Sequence, residues 1–266
     1  MRVSCIQMNS GLDMRENMER AGHWLAKAKE AGCDMAVLPE NFAFMGGDDA
    51  AKIEVAETEG ESTVLRFLSA QAARLNIAII GGSAALKSSR EDKIRNACAV
   101  FDHQGTQLGI YDKIHLFDVD VGGQCYRESA VVEAGSEPLQ VHVSDWDIGL
   151  SICYDLRFPE LYRRYSAAGC GLLSIVAAFT VPTGKAHWET LLRARAIENQ
   201  CYVLASTQTG EHPGGRQTWG HAMVIDPWGK ILCQLDEGEG MVTADLSMQE
   251  VESVRAGLPA LQHRKL

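Results

Sequence analysis

Short apolar runs alternate with segments whose apolar residues recur at helical spacing over most of the chain, and this alternation predicts an α/β layered fold. Strands are expected at residues 3–8, 35–38, 77–80, 97–101, 107–111, 148–153, 172–177, 201–206, 221–225 and 241–244. Between them, Met14, Met18, Ala21, Leu25 and Ala28 recur at alternating steps of four and three. Val64, Leu68, Ala72 and Leu75 do much the same, so each segment should be a helix with one buried stripe. A third helix is expected to begin near Lys185, with Trp188, Leu191 and Leu192 on one side. Asp102-His103-Gln104-Gly105 and Asp226-Pro227-Trp228-Gly229 read as hairpin turns. Neither a Pro/Gly/Ser-rich linker nor a repeat divides the sequence, so residues 1–266 read as a single domain of two sheets flanked by helices.

Three polar residues each follow an apolar strand directly: Glu40, Lys113 and Cys153. Sites in open α/β sheets form outside the carboxyl ends of the strands, so these groups are expected to converge in one pocket. Taken singly, each has an ordinary reading as core packing, a solvated loop carboxylate or a surface charge. Context distinguishes Cys153, which opens Cys153-Tyr154-Asp155-Leu156-Arg157-Phe158-Pro159-Glu160. There the strand stops, and Pro159 is placed as the first residue of a new helix. Such a turn presents a nucleophile and aims backbone N–H groups at an oxyanion beside it. Asp155, Arg157 and Glu160 are expected to form a structural ion-pair set around it.

Composition removes several alternatives. A formal net charge of -10, with no basic stripe, argues against nucleic acid as a partner. The 8 cysteines show no C-x-x-C pair and no cluster with histidine, so neither a zinc site nor a disulfide framework is expected. The sequence has no secretory h-region and no apolar stretch of membrane-spanning length, which points to the reducing cytoplasm and no membrane partner.

The segments Leu38-Pro39-Glu40-Asn41, Tyr111-Asp112-Lys113-Ile114-His115-Leu116-Phe117-Asp118 and Cys153 through Glu160 together resemble the Glu-Lys-Cys signature of the nitrilase, or carbon-nitrogen hydrolase, superfamily. Arg127-Glu128-Ser129, followed by Glu133-Ala134-Gly135, resembles the region supplying that family's second active-site glutamate. Ala178-Phe179, Thr183-Gly184-Lys185-Ala186-His187-Trp188-Glu189, Gly220-His221 and the tail Leu258-Pro259-Ala260-Leu261-Gln262-His263-Arg264 resemble its amidase branch, which includes deaminated glutathione amidase and omega-amidase. The resemblance implies a four-layer αββα sandwich paired as a homodimer, acting on a small-molecule amide with water and without cofactor or metal. The loops around Gly122-Gly123-Gln124-Cys125-Tyr126 and from Glu211 to Gln217 match less well, so deaminated glutathione, an α-keto acid amide and an N-carbamoyl amino acid all remain open as substrates.

On this resemblance Cys153 is the nucleophile and Glu40 the base, its pKa expected to rise on burial from about 4.3 toward the useful range. Lys113 would hold the oxyanion with the backbone N–H of Tyr154, while Glu128 positions substrate and orients Lys113. Attack gives a tetrahedral adduct that expels ammonia, and water activated by Glu40 then hydrolyses a thioester. Phe179, His187 and Trp188 are expected at the substrate pocket, and Arg216 or Lys185 at a substrate carboxylate. Cys153 should also alkylate ahead of the other cysteines if it is pre-activated. Two competing readings are a Cys-His hydrolase using His115, His187 or His221, and a non-catalytic scaffold of the same fold.

Overall fold

The computed structural model describes residues 1–46, 50–121 and 123–265; Gly122 of the divergent loop and Leu266 lie outside the described residues. A first leaf is built from β1 (Arg2–Met8), β2 (Met35–Val37), β3 (Ala78–Ile80), β4 (Ala84–Lys87), β5 (Ile94–Phe101) and β6 (Gln107–Asp112). A separate hairpin of β7 (Asp118–Val121) and β8 (Gln124–Arg127) follows. The second leaf comprises β9 (Gln140–Val143), β10 (Trp146–Ile152), β11 (Leu172–Ala177) and β12 (Tyr202–Glu211). β13 (Gln217–Trp219) folds back on the end of β12, β14 (Met223–Ile225) and β15 (Ile231–Gln234) widen this leaf, and β16 (Gly240–Asp245) returns to pair with β1.

Strands β1, β2 and β3 are parallel, with Val3 opposite Met35 and Met35 opposite Ala78. The chain reverses into β5 and again into β6, so β6 points the same way as β3. In the second leaf β10, β11 and β12 are parallel. The leaves join where Gln7 and Met8 of β1 pair with Thr207 and Gln208 of β12, making one continuous 14-stranded sheet of the two sheets expected from the sequence.

The period of two along each strand sets the layers. In β1, Val3 and Cys5 belong to the core between the leaves. Ile6 and Met8 pack instead with Ala21, Leu25 and Ala28 of α1 (Met14–Glu30) and, beyond the short α2 (Ala51–Val55) in chain order, with Leu68 and Ala72 of α3 (Thr63–Leu75). In β10, Gly149 and Ser151 face α4 (Pro159–Ala167): a Cβ on Gly149 would lie 2.4 Å from the Tyr165 ring, and Tyr162 donates to Ser151 Oγ. Ile148, Leu150 and Ile152 therefore take the inter-leaf side. α5 (Val181–Asn199) buries Trp188, Leu192 and Ala196 beside α4, and α6 (Met248–Gly257) contributes Val251 to the same core. The order helices, leaf, leaf, helices is the αββα sandwich.

Two boundaries differ from expectation in ways that bear on the site. β10 ends at Ile152, so Cys153 is the first residue of the turn rather than the last of the strand. α5 starts at Val181, ahead of Lys185, because Pro182 is tolerated in a first turn where its missing N–H has no intrahelical partner.

Candidate active site

Glu40 lies just beyond β2, Lys113 just beyond β6 and Cys153 just beyond β10, so the shared strand direction brings all three to one end of the sandwich. Glu128 joins them from a short 3-10 turn, Glu128–Ala130, after the β7–β8 hairpin. Lys113 Nζ donates to Glu40 Oε1 at 3.0 Å and to Glu128 Oε1 at 2.9 Å. Asn96 Nδ2 of β5 bridges the same two carboxylates, at 2.9 Å to Glu40 and 3.3 Å to Glu128. The remaining carboxylate oxygens are also held: Glu40 Oε2 accepts from Ala178 N at 2.8 Å, and Glu128 Oε2 from Phe117 N at 2.7 Å. Glu40 is 2%, Lys113 2% and Glu128 6% exposed, so this is a buried ion network whose desolvation is offset by close pairing and by hydrogen bonds from several elements.

The loop carrying Glu40 is fixed from behind by the turn between β3 and β4. Ser83 N donates to Pro39 O, and Asn41 N donates to Ser83 Oγ at 3.0 Å. Gly82 has φ +60°, and a Cβ there would sit 2.1 Å from Pro39 O, so this contact requires glycine.

Cys153 has φ 50°, in the left-handed region that a non-glycine residue occupies at a steric cost. Asp155, fully buried two residues on, holds it there. Asp155 accepts from Ile152 N at 2.9 Å, Tyr111 Oη at 2.7 Å and His115 N at 2.9 Å, and its Oδ1 lies 2.7 Å from His115 Nδ1. One carboxylate thus pins the turn after β10 to the end of β6, which carries Lys113. Pro159 opens α4 as expected.

Burial disfavours the Lys113 charge, but Glu128 and Glu40 beside it outweigh that loss and hold its pKa well above the ordinary 10.5. Burial likewise pushes the Glu40 carboxyl up, yet the charge and hydrogen bond of Lys113, with smaller help from Lys52 and the Cys153 thiol, bring it below the ordinary 4.5. The expectation that burial would carry Glu40 toward neutrality is therefore overturned by its partner. The Cys153 thiol is pushed up by burial and by Glu40, with Lys113 and the Ala178 N–H offsetting part of the rise. These directions favour a neutral thiol beside an ionised Glu40 and Lys113. Burial and the raised thiol both work against early alkylation of Cys153, while Cys125 is exposed but its thiol is also raised, by its hydrogen bond with Asp120.

These groups open into a cleft of about 460 Å³. Tyr154 and Phe179 line it, as expected, with Phe117, Tyr126, Thr183 and Ala178. His187 and Trp188 stand one layer back. His187 Nδ1 lies 3.3 Å from Arg157 Nη1, and Trp188, 1% exposed, packs behind Phe179 at 4.9 Å between ring centroids. Arg157 does not join an ion-pair set with Asp155 and Glu160. Its guanidinium lies over the Phe179 ring at 5.3 Å and the Tyr154 ring at 5.8 Å, and it lines the cleft. Lys52 and Arg216 line it too, while Lys185 is exposed outside it. Sequence reasoning missed Asn96, Lys52 and the placement of Arg157. The available signal for Arg157 lay in its position within the Cys153 motif. Asn96, inside a strand with no motif around it, offered none. Among the described residues no histidine lines the cleft: His115 stacks on Phe158 at 3.7 Å and His221 on Trp219 at 4.2 Å.

The sequence profile described as carbon-nitrogen hydrolase matches residues 2–256. A deaminated glutathione amidase of Synechocystis is 43% identical over 98% of this chain and 97% of its own length. Omega-amidase NIT2 of Danio rerio is 35% identical, covering 99% of this chain and 94% of that protein. In fold, the crystal structure of the Caenorhabditis elegans NitFhit protein superposes with a TM-score of 0.91 at 38% identity, covering 99% of this chain, which spans 65% of that one. With that agreement along nearly its whole length, in sequence and in fold, this chain belongs to the carbon-nitrogen hydrolase family.

Proposed function

We propose that this protein hydrolyses a small carboxamide through a thioester on Cys153, with Glu40 as base, Lys113 as oxyanion-side cation and Glu128 positioning Lys113 and substrate. The observation carrying this reading is the buried Glu40–Lys113–Glu128 network meeting the left-handed turn of Cys153 in one cleft. As the thiol sulfur bonds to the amide carbon, its proton passes to Glu40, which lines the same cleft. The negative charge moves to the former carbonyl oxygen, beside Lys113 and the Tyr154 N–H. Collapse breaks the C–N bond, and the proton on Glu40 leaves with the amine or ammonia. Water then gives a proton to Glu40 and bonds to the thioester carbon. The C–S bond breaks, the proton returns to sulfur, and amide plus water has become acid plus amine. No step draws on a cofactor.

The relatives named deaminated glutathione amidase favour deaminated glutathione over an α-keto acid amide such as α-ketoglutaramate, or an N-carbamoyl amino acid. Arg157, Lys52 and Arg216 in the cleft supply cations for the substrate carboxylate. Parallel product assays on deaminated glutathione, α-ketoglutaramate, N-carbamoyl-β-alanine and a simple nitrile test the choice. Preference for the second or third reassigns the substrate, and turnover of none of them overturns all three substrate readings and leaves only the reaction class standing. A homodimer acting in the cytoplasm completes the reading; all 8 cysteines are unpaired, which suits a reducing compartment.

A further inference from the structure

Asn96 lies where β5 begins to pair with β6: Ala97 is opposite Asp112, and Lys113 N donates to Asn96 O at 3.0 Å. Opposite residues of an antiparallel pair share a face, so the Asn96 amide and the Lys113 ammonium are presented side by side. Together they close a ring, in which Glu40 Oε1 and Glu128 Oε1 each take one bond from Lys113 Nζ and one from Asn96 Nδ2. Asn96 is 3% exposed, and its Oδ1 is buried with no partner among the described residues. Turning the amide over would set that oxygen against two carboxylates, so only the NH2 can face them. An orphaned buried acceptor costs stability, and packing inside a strand gives no reason to carry one. Service to the two carboxylates does.

A carboxylate oxygen accepts at two positions. Both positions of Glu40 Oε1 are filled, by Lys113 and Asn96, whereas among the described residues Oε2 takes a single bond, from Ala178 N at 2.8 Å. That N–H also reaches the Cys153 thiol, so Oε2 and the sulfur share a donor.

We propose that Asn96 is a positioning residue for the hydrolysis: by filling the second position on Oε1 it makes Oε2 the atom of Glu40 that takes the thiol proton. This rests on the amide-hydrolase reading above. As the S–H bond breaks, its proton goes to Oε2, the sulfur electron pair forms the C–S bond, and the carbonyl π pair moves to oxygen. Asn96 acts a second time through Lys113. It holds Glu40 and Glu128 on either side of the ammonium, whose N–H groups number three; two have fixed partners and the third is left for the developing oxyanion. Donation from the amide also favours the ionised form of Glu40, the form that acts as base. The other charged and titratable groups facing Glu40 are Lys113, Glu128, Cys153 and Lys52 of α2, with Arg157 and Arg216 also lining the cleft, and a substitution at position 96 changes none of them.

Asn96→Leu keeps the bulk of the side chain without its donors, and Asn96→Ser, made independently, keeps a hydroxyl too short to span both carboxylates. Asn96 does not line the cleft, so substrate binding should not follow the chemistry. With melting temperature checked to establish folding and deaminated glutathione as substrate, kcat is expected to fall about 10–100-fold while KM stays within about twofold. The acid limb of kcat/KM should move up by about one pH unit, because Glu40 without that donor binds its proton more tightly. A merely structural Asn96 would lower the melting temperature and leave the acid limb where it is. That result in a folded variant, or a loss confined to KM, overturns the role while the reaction stands. Wild-type protein whose own acid limb falls near the histidine value of about 6.5 overturns Glu40 as base, and the role of Asn96 with it.

Discussion

Lys113 donates to a carboxylate on each side, so its removal leaves Glu40 and Glu128 facing one another, both largely buried at the edge of the cleft. Lys113→Ala should therefore lose activity and also about 3–5 kcal/mol of stability, read from denaturant unfolding. Cys153→Ala should lose activity with stability nearly unchanged. If the two variants unfold alike, the network is not holding the site. The pH profile separates this chemistry from a Cys-His mechanism. Glu40 titrates below 4.5 and Lys113 above 10.5, so kcat/KM should stay flat through neutrality and drop on the acid side within the carboxylate range. An acid limb near the ordinary histidine value of about 6.5 would instead indicate an imidazole base. The stability linkage has matching signs. The lowered Glu40 contributes above the unfolded carboxylate value and is lost as pH falls through its folded value; the raised Lys113 contributes below its unfolded value and is lost as pH rises through its folded one. At this scale Glu40, Lys113, Glu128 and Cys153 were legible because each sits in a local motif beside a strand end. The direction of the Glu40 shift was not, since it depends on a lysine 73 residues away.

Strand ends can present these groups only if the turns behind them are rigid. Gly82→Ala would drive a methyl into Pro39 O and displace the loop bearing Glu40. The expected outcome is a lower melting temperature together with a reduced kcat; a variant unchanged in both would show that the loop adjusts freely. Asp155→Ala removes the acceptor for Ile152 N, Tyr111 Oη and His115 N at once, so it should destabilise more than a typical surface change, by about 3 kcal/mol or more. The ten strands expected from the sequence are all present, the parallel ones β1, β2, β3, β10, β11 and β12 because strands buried on both faces read as apolar runs. β4, β7, β8, β9 and β13 were not expected, and β15 only as the second arm of the hairpin turned at Asp226–Gly229. They are short and mix polar with apolar residues, and pairing with a neighbour rather than their own pattern makes them strands.

At the scale of the whole molecule, layer order followed from the alternation of strands and helices, but the joint that fuses the two leaves did not. It consists of pairs between β1 and β12, about 200 residues apart in sequence, and no local pattern encodes it. The surface bears on assembly. Among the described residues Trp228 at 64%, Leu12 at 57%, Ile197 at 49% and Leu258 at 49% are the most exposed large apolar side chains, candidates for contact in the proposed homodimer. Light scattering at micromolar concentration should give twice the 29.0 kDa chain mass, and a stable single-chain mass would count against the dimer. The central claim is most directly tested by acid-quenching the wild-type enzyme during turnover of deaminated glutathione, digesting it and weighing the peptides. The expected result is the keto-acid acyl mass on the peptide containing Cys153 and on no other. Hydrolysis that proceeds with the acyl group on a different residue would contradict Cys153 as the nucleophile.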